Sequence, residues 1–124
     1  MVVTKRQAIE RVNFNVGWPL LNNQNTHFAS INKRKAVWWL NIPLENTCKG
    51  LHLLLKRAEK KESGGLIWLK LPAGTLSKKK FRYWRDKDAL DLEIGTQGVS
   101  YLQDIKSGGI GYDFSPHVER EFPA

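Results

Sequence analysis

The sequence predicts an α+β domain built on a mostly antiparallel, strongly curved sheet of about six or seven strands, barrel- or sandwich-like, with a short N-terminal and a short C-terminal helix. Three observations predict it. The stretch Lys35-Ala36-Val37-Trp38-Trp39-Leu40-Asn41-Ile42-Pro43 sets β-branched and aromatic residues between a basic turn and a proline, the composition of a buried central strand. The residues after Ser77 can be paired as hairpins by residue type alone. Thr4 followed by Gln7 gives a capping box ahead of the apolar positions Ala8, Ile9 and Val12, which predicts a short amphipathic helix with Lys5, Arg6 and Arg11 on its polar face.

At 124 residues, 41% of them hydrophobic, the chain bounds a single domain, 1–124, with one modest core. Lys5, Arg6, Glu10 and Arg11 interrupt the first apolar window, so it does not read as a signal peptide. No later stretch approaches the roughly 20 apolar residues of a membrane span. The expectation is a cytoplasmic protein without a membrane partner. One cysteine, Cys48, can form no internal disulfide, and His27, His52 and His117 are scattered singly, so no metal or cofactor signature is present. Cys48 reads as a small core filler.

The elements follow in order. Asn13 to Asn25 is punctuated by Gly17 and Pro19 yet holds Phe14, Val16, Trp18, Leu20 and Leu21, which predicts an ordered loop packed on the core. Thr26 to Ile31 alternates as a first strand, joined to the Trp38 strand through the turn Asn32–Lys35. Leu51, Leu53 and Leu55 fit a strand, while Leu44, Cys48, Leu51, Leu55 and Ala58 fit a helix equally well. An internal match decides for strand. Trp39-Leu40-Asn41-Ile42-Pro43 recurs as Trp68-Leu69-Lys70-Leu71-Pro72, and each copy leads through a polar connection into an apolar stretch, the second of which, Phe81 to Arg85, is rich in aromatics. The match also predicts equivalent positions for Trp39 and Trp68. Ala58 to Gly65 reads as a solvated loop.

With Asp86-Lys87 as a turn, Phe81 faces Leu92 and Tyr83 faces Leu90, while Arg82 faces Asp91 and Lys80 faces Glu93. Continuing through Gly95–Gly98 sets Ile94 against Val99 and Leu92 against Tyr101, a three-strand meander with one apolar and one charged face. Ser107 to Gly111 is a glycine-rich turn, and Ser115-Pro116 predicts the start of the C-terminal helix, Pro116 to Glu121.

Function is read first from charge. The formal net charge is +8, but eighteen Lys and Arg stand against five acids up to Lys87, and two against seven from Asp88 onward. Such a field draws polyanions or an acidic protein surface, unless the two halves neutralise each other on folding. Within the basic part, Lys78-Lys79-Lys80-Phe81-Arg82-Tyr83-Trp84-Arg85 alternates cations with rings. Cations hold phosphates with little sequence dependence, and exposed aromatics offer stacking worth ~1–3 kcal/mol per base. Strand parity leaves Lys80, Arg82 and Trp84 outside, with Lys33, Arg34 and Lys35 as a second basic point. The reading is a binding module for nucleic acid or another polyanion through Lys33, Arg34, Lys35, Lys78, Lys79, Lys80, Arg82 and Trp84. Its alternative is simple pairing of Arg82 and Lys80 with Asp91 and Glu93.

A different class of function rests on the tryptophans. Adjacent Trp38 and Trp39 point to opposite faces of one strand, so one of them needs cover from the loop around Trp18, a small ligand or a second subunit. Trp18, Trp38 and Trp39 are therefore candidates for a ligand site or a homo-oligomer interface.

Enzyme templates fit less well. Gly108, Gly109 and Gly111 lack the Gly-Lys-Ser/Thr of a phosphate loop, and His117 has no identifiable nucleophile. Asp91 followed by Asp104-Ile105-Lys106 resembles the Asp…(Asp/Glu)-x-Lys pattern of the restriction-endonuclease-like nucleases. The resemblance implies two carboxylates on adjacent strands holding Mg²⁺ and a lysine orienting water. Only 18 residues follow Lys106, where that family's core places a helix and a further strand. The meander register also sets Leu102, not Asp104, opposite Asp91.

Overall fold

The computed structural model describes residues 3–58 and 65–123. They form one helix, α1 (Lys5–Val16), and seven strands, β1 (Thr26–Ala29), β2 (Val37–Pro43), β3 (Leu51–Lys56), β4 (Leu66–Leu71), β5 (Arg82–Trp84), β6 (Ala89–Gly95) and β7 (Val118–Phe122). The fold is α+β with two sheets. The larger has the order β1-β3-β4-β7, parallel only between β1 and β3, and the smaller is antiparallel with the order β2-β6-β5. Neither sheet closes or curls strongly, so the curved single sheet of the sequence reading is replaced by two open ones.

Alternation explains the layering. Leu51, Leu53 and Leu55 of β3 and Ile67, Leu69 and Leu71 of β4 meet Trp38, Leu40 and Ile42 of β2 and Leu90, Leu92 and Ile94 of β6 in one core between the sheets. The other parity of the larger sheet, Leu54, Leu66, Trp68 and Phe122, is covered by Ala8, Val12 and Leu21. Helix α1 is thus the outer layer on one side. It starts at the expected capping box, Thr4 Oγ1 accepting from Gln7 N and Gln7 Oε1 from Thr4 N, and runs past the expected Val12 to a left-handed Gly17. The chain after it is ordered, as its apolar residues require, with Asn13 exchanging two hydrogen bonds with the Leu21 backbone.

Strands β3 and β4 are buried on both faces, and for that reason β3 carried no clean period in the sequence. The internal match marks something physical. The connection after β2, entered at Pro43, carries the chain from the smaller sheet to the larger, and the one after β4, entered at Pro72, carries it back.

Several expectations are corrected. Strand β2 is an edge, bridged on its free side, among the described residues, only at Ile31, and β6 is the central strand of its sheet. Strand β1 ends at Ala29, before the expected Ile31, and runs parallel to β3, while Ile31 bridges antiparallel to Trp38 across the expected turn. Only a 3₁₀ turn, Ser115–His117, follows the expected cap, and Val118–Phe122 is a strand. Val118 and Phe122 share a face at either period, and the hydrogen-bonding edge of β4 decides for the strand. The third meander strand does not form. Gly95 lies so close to Ser100 that an added Cβ would sit 2.2 Å from its carbonyl oxygen, the chain turns through a 3₁₀ segment, and Val99 is 99% exposed. Cys48 is exposed in the 3₁₀ segment Leu44–Cys48, not in the core. Residues 59–64 of the expected Ala58–Gly65 loop lie outside the described residues. Among the described residues no helix is long and apolar enough to cross a membrane.

A candidate nucleic-acid interface on the uncovered sheet face

The layering leaves one sheet face that no helix or strand of the described residues covers, the outer side of β2-β6-β5, over part of which the loop holding Lys106 and Gly108 returns. Register places its side chains in rows: Trp39 beside Glu93, Asn41 beside Asp91 beside Arg82, and Pro43 beside Ala89 beside Trp84. The pairings of Arg82 with Asp91 and Tyr83 with Leu90 are those read from the sequence. Both edge strands run antiparallel to β6, hence parallel to each other. The basic segments that precede them, Lys33–Lys35 and Lys78–Lys80, therefore arrive at the same end of the sheet, on opposite edges.

The acids of this face are committed to internal partners. Glu93 is held by Lys35 (Nζ to Oε1, 2.7 Å) and by Lys106 (Nζ to Oε2, 3.6 Å), and the hydrogen bond from Lys35, foremost, keeps its carboxyl below the ordinary range. Asp91 accepts from the Trp39 indole Nε1 at 2.5 Å and pairs with Lys106 at 3.5 Å. Lys35 therefore spends its charge at home, and part of the charge asymmetry along the chain is neutralised across the fold, as it is again between Arg57 and Glu121.

The other cations are not so occupied. Lys33, Arg34, Lys79 and Arg82 are exposed and form no ion pair among the described residues. Lys78 lies 4.3 Å from the Tyr83 ring centroid and Lys80 5.4 Å from that of Tyr112. The expected pairing of Arg82 and Lys80 with Asp91 and Glu93 is absent, because Lys106 and Lys35 take those carboxylates. Two indoles share the face. Trp39 is 47% exposed, and half-buried Trp84 carries the Lys87 ammonium 4.4 Å from its ring centroid.

The three tryptophans grouped by the sequence reading part company. Trp38 is 1% exposed in the core and donates to the Lys56 carbonyl at 2.7 Å. Trp18 is exposed beyond the end of α1, on the side of the larger sheet, and gives Trp39 no cover. Nor are Trp39 and Trp68 equivalent. Trp68 is buried under α1 and Trp39 lies on the sheet face without a helix, because the described residues hold one α-helix for two outer faces.

Asp91, Asp104 and Lys106 do converge, which the expected register had disfavoured. Leu102 adopts a left-handed backbone (φ 61°), and Asp104 bridges to Ile94. Asp104 is 1% exposed, and its Oδ1 accepts from the backbone N–H of Glu93 (3.1 Å) and Lys106 (3.2 Å). Burial, ahead of all else, raises its carboxyl above the ordinary range. Its Oδ2 has no hydrogen-bond partner among the described residues and faces Gly109, whose added Cβ would lie 2.6 Å away. A Mg²⁺ clasp needs two open carboxylates. Here Asp91 is filled by an indole and an ammonium, Asp104 is sealed beneath the chain, and the residues do not fit that ion. Among the described residues no group of His, Cys, Asp and Glu is arranged to hold a metal.

The sequence reading missed Asn41, whose Nδ2 is buried beside Asp91 without a hydrogen-bond partner among the described residues, and it missed the part played by Lys106. The signal for Asn41 was present, a polar residue at the outward parity of an apolar strand. Lys106 was singled out only as the lysine of the nuclease-like pattern, and its pairing with Asp91 and Glu93 depends on a loop reaching back over the sheet, which leaves no period to read.

The fold and this face define a three-layer α+β domain, helix on sheet on sheet, with its last face open. No family model, curated protein or solved structure matches the chain.

Proposed function

We propose that the open face of β2-β6-β5 binds single-stranded nucleic acid. One observation carries the reading: Trp39 and Trp84, two partly accessible indoles, share a face that no helix or strand covers with Arg82, which forms no ion pair among the described residues, and basic segments from both edges meet at one end of it. Neighbouring strands lie about 4.8 Å apart, so the edge strands stand about 10 Å apart, a width that suits one strand of bases rather than a duplex. Stacking on indoles is indifferent to sequence, and lysine and arginine contribute by releasing counterions from phosphates. Lys106 and Lys35 neutralise the carboxylates that would otherwise repel the ligand.

The test is fluorescence anisotropy with a labelled single-stranded oligonucleotide, repeated across a salt series. Binding is expected at ~50 mM salt, with log affinity falling linearly in log salt. Arg82→Ala and Lys79→Ala should each flatten the slope by ~0.7, and Trp39→Ala should weaken binding with the slope unchanged. No binding at ~50 mM salt, or equal affinity in all three variants, would dismiss the proposal.

A further inference from the structure

A cleft of about 480 Å³ opens at the end of the larger sheet, where β3 begins, β4 ends and β7 begins. Register sets His52 of β3 level with Lys70 of β4, and both line the cleft. The Trp68 indole Nε1 donates to His52 Nδ1 at 2.9 Å. An indole nitrogen can only donate, so Nδ1 holds a lone pair and the neutral ring carries its hydrogen on Nε2. Burial, with Lys70 next, lowers the pKa of His52, while Glu119 opposes them. Its Nε2 has no hydrogen-bond partner among the described residues, and His52 is 7% exposed. His52, its ring orientation fixed by Trp68, and the ammonium-bearing Lys70 thus line the cleft side by side.

Two features shape the rest. The β4–β7 register slips between Trp68, level with Arg120, and Leu69, level with Val118, so Glu119 is the extra residue of a bulge and is turned to the cleft rim. His117 closes the other side, its ring stacked on Tyr112 with centroids 5.8 Å apart and its Nε2 2.6 Å from the tyrosine hydroxyl. Between these groups the walls are apolar, from Leu51, Leu71, Pro72 and Pro116.

We infer that this cleft binds a small organic carboxylate, a monoanion with an apolar body. The single ammonium of Lys70 and the Nε2–H of His52 suit the two oxygens of a carboxylate. Glu119 at the rim disfavours a second negative charge, and the leucine and proline walls favour hydrocarbon over water. The site is on the larger sheet and is independent of the nucleic-acid reading.

The experiment uses the full chain labelled with ¹⁵N, following the His52 ring nitrogens by NMR at pH 7 while sodium benzoate and inorganic phosphate are titrated separately. Benzoate is expected to shift the His52 Nε2 resonance saturably, with a Kd on the order of 1 mM, and phosphate to leave it unmoved. Lys70→Ala, a change at an exposed position that the fold tolerates, should weaken benzoate about tenfold, whereas Lys79→Ala on the other sheet should not. The inference is overturned by no saturable shift up to about 50 mM benzoate, by an equal response to phosphate, or by unchanged affinity in Lys70→Ala.

Discussion

Trp38 and Trp39 are neighbours in the chain and opposites in the fold, and truncating each in turn measures the difference. Trp38 is 1% exposed, packs with Leu40 and Ile42, and ties the smaller sheet to the larger through its hydrogen bond to the Lys56 carbonyl. Cutting such a ring to alanine costs ~3–5 kcal/mol in transfer and cavity terms, and the lost hydrogen bond from its indole adds ~1 kcal/mol. A loss of ~4–6 kcal/mol takes most of the stability of a small domain. Trp39, 47% exposed, hides about half of its ring. About 100 Å² of apolar surface at about 25 cal/mol/Å² is ~2.5 kcal/mol, of which alanine keeps a part. Asp91 loses the indole donor but retains Lys106, so Trp39→Ala should cost ~1–3 kcal/mol. In urea, with a slope of ~1–3 kcal/mol/M, Trp38→Ala should unfold at or near zero denaturant, whereas Trp39→Ala should move the midpoint by ~1 M. Sizing chromatography of folded Trp39→Ala reports whether the ring also joins subunits. Equal losses, or a larger one for Trp39→Ala, would refute the assignment of an open face to β2.

Two further outcomes follow from the bend that ends β6. Gly95→Ala should destabilise by more than ~2 kcal/mol in the same assay, because its Cβ would meet the Ser100 carbonyl and backbone cannot yield as a side chain can; a loss below ~0.5 kcal/mol would contradict this packing. Asp104 titrates above its unfolded value, so its neutral form contributes stability that is fully present below the unfolded pKa and is lost as pH rises through the folded one. Asp104→Asn keeps the Oδ1 acceptor and cannot ionise, and its stability relative to the natural protein should climb as pH rises from about 4, with a slope no steeper than about 1.4 kcal/mol per pH unit. Urea midpoints of both proteins from pH 4 to 7 test it, and a flat or falling difference would show that the two backbone amides at Oδ1 outweigh burial.

Local patterns determined a good part of this molecule. The capping box placed α1, strand alternation put Trp38 and Trp39 on opposite faces of β2, and the matching of residue types across the turn at Asp86-Lys87 set Arg82 against Asp91. These features depend on residues near one another in the chain or across one tight turn. The tertiary structure decided what depends on distant partners. Val118 and Phe122 suit a helix or a strand until the edge of β4 offers hydrogen bonds. Trp39 and Trp68 sit in matching local sequences, and only the position of α1 buries one and bares the other. The candidate site divides in the same way. Arg82 and Trp84 were legible from parity, whereas the capture of Asp91 and Glu93 by Lys106 and Lys35, which leaves Arg82 unpaired, required loops to return over the sheet. A side chain's facing is set by the backbone period that the sequence encodes, but its partner is set by which elements pack together, and that is fixed only when the whole chain buries its apolar faces at once.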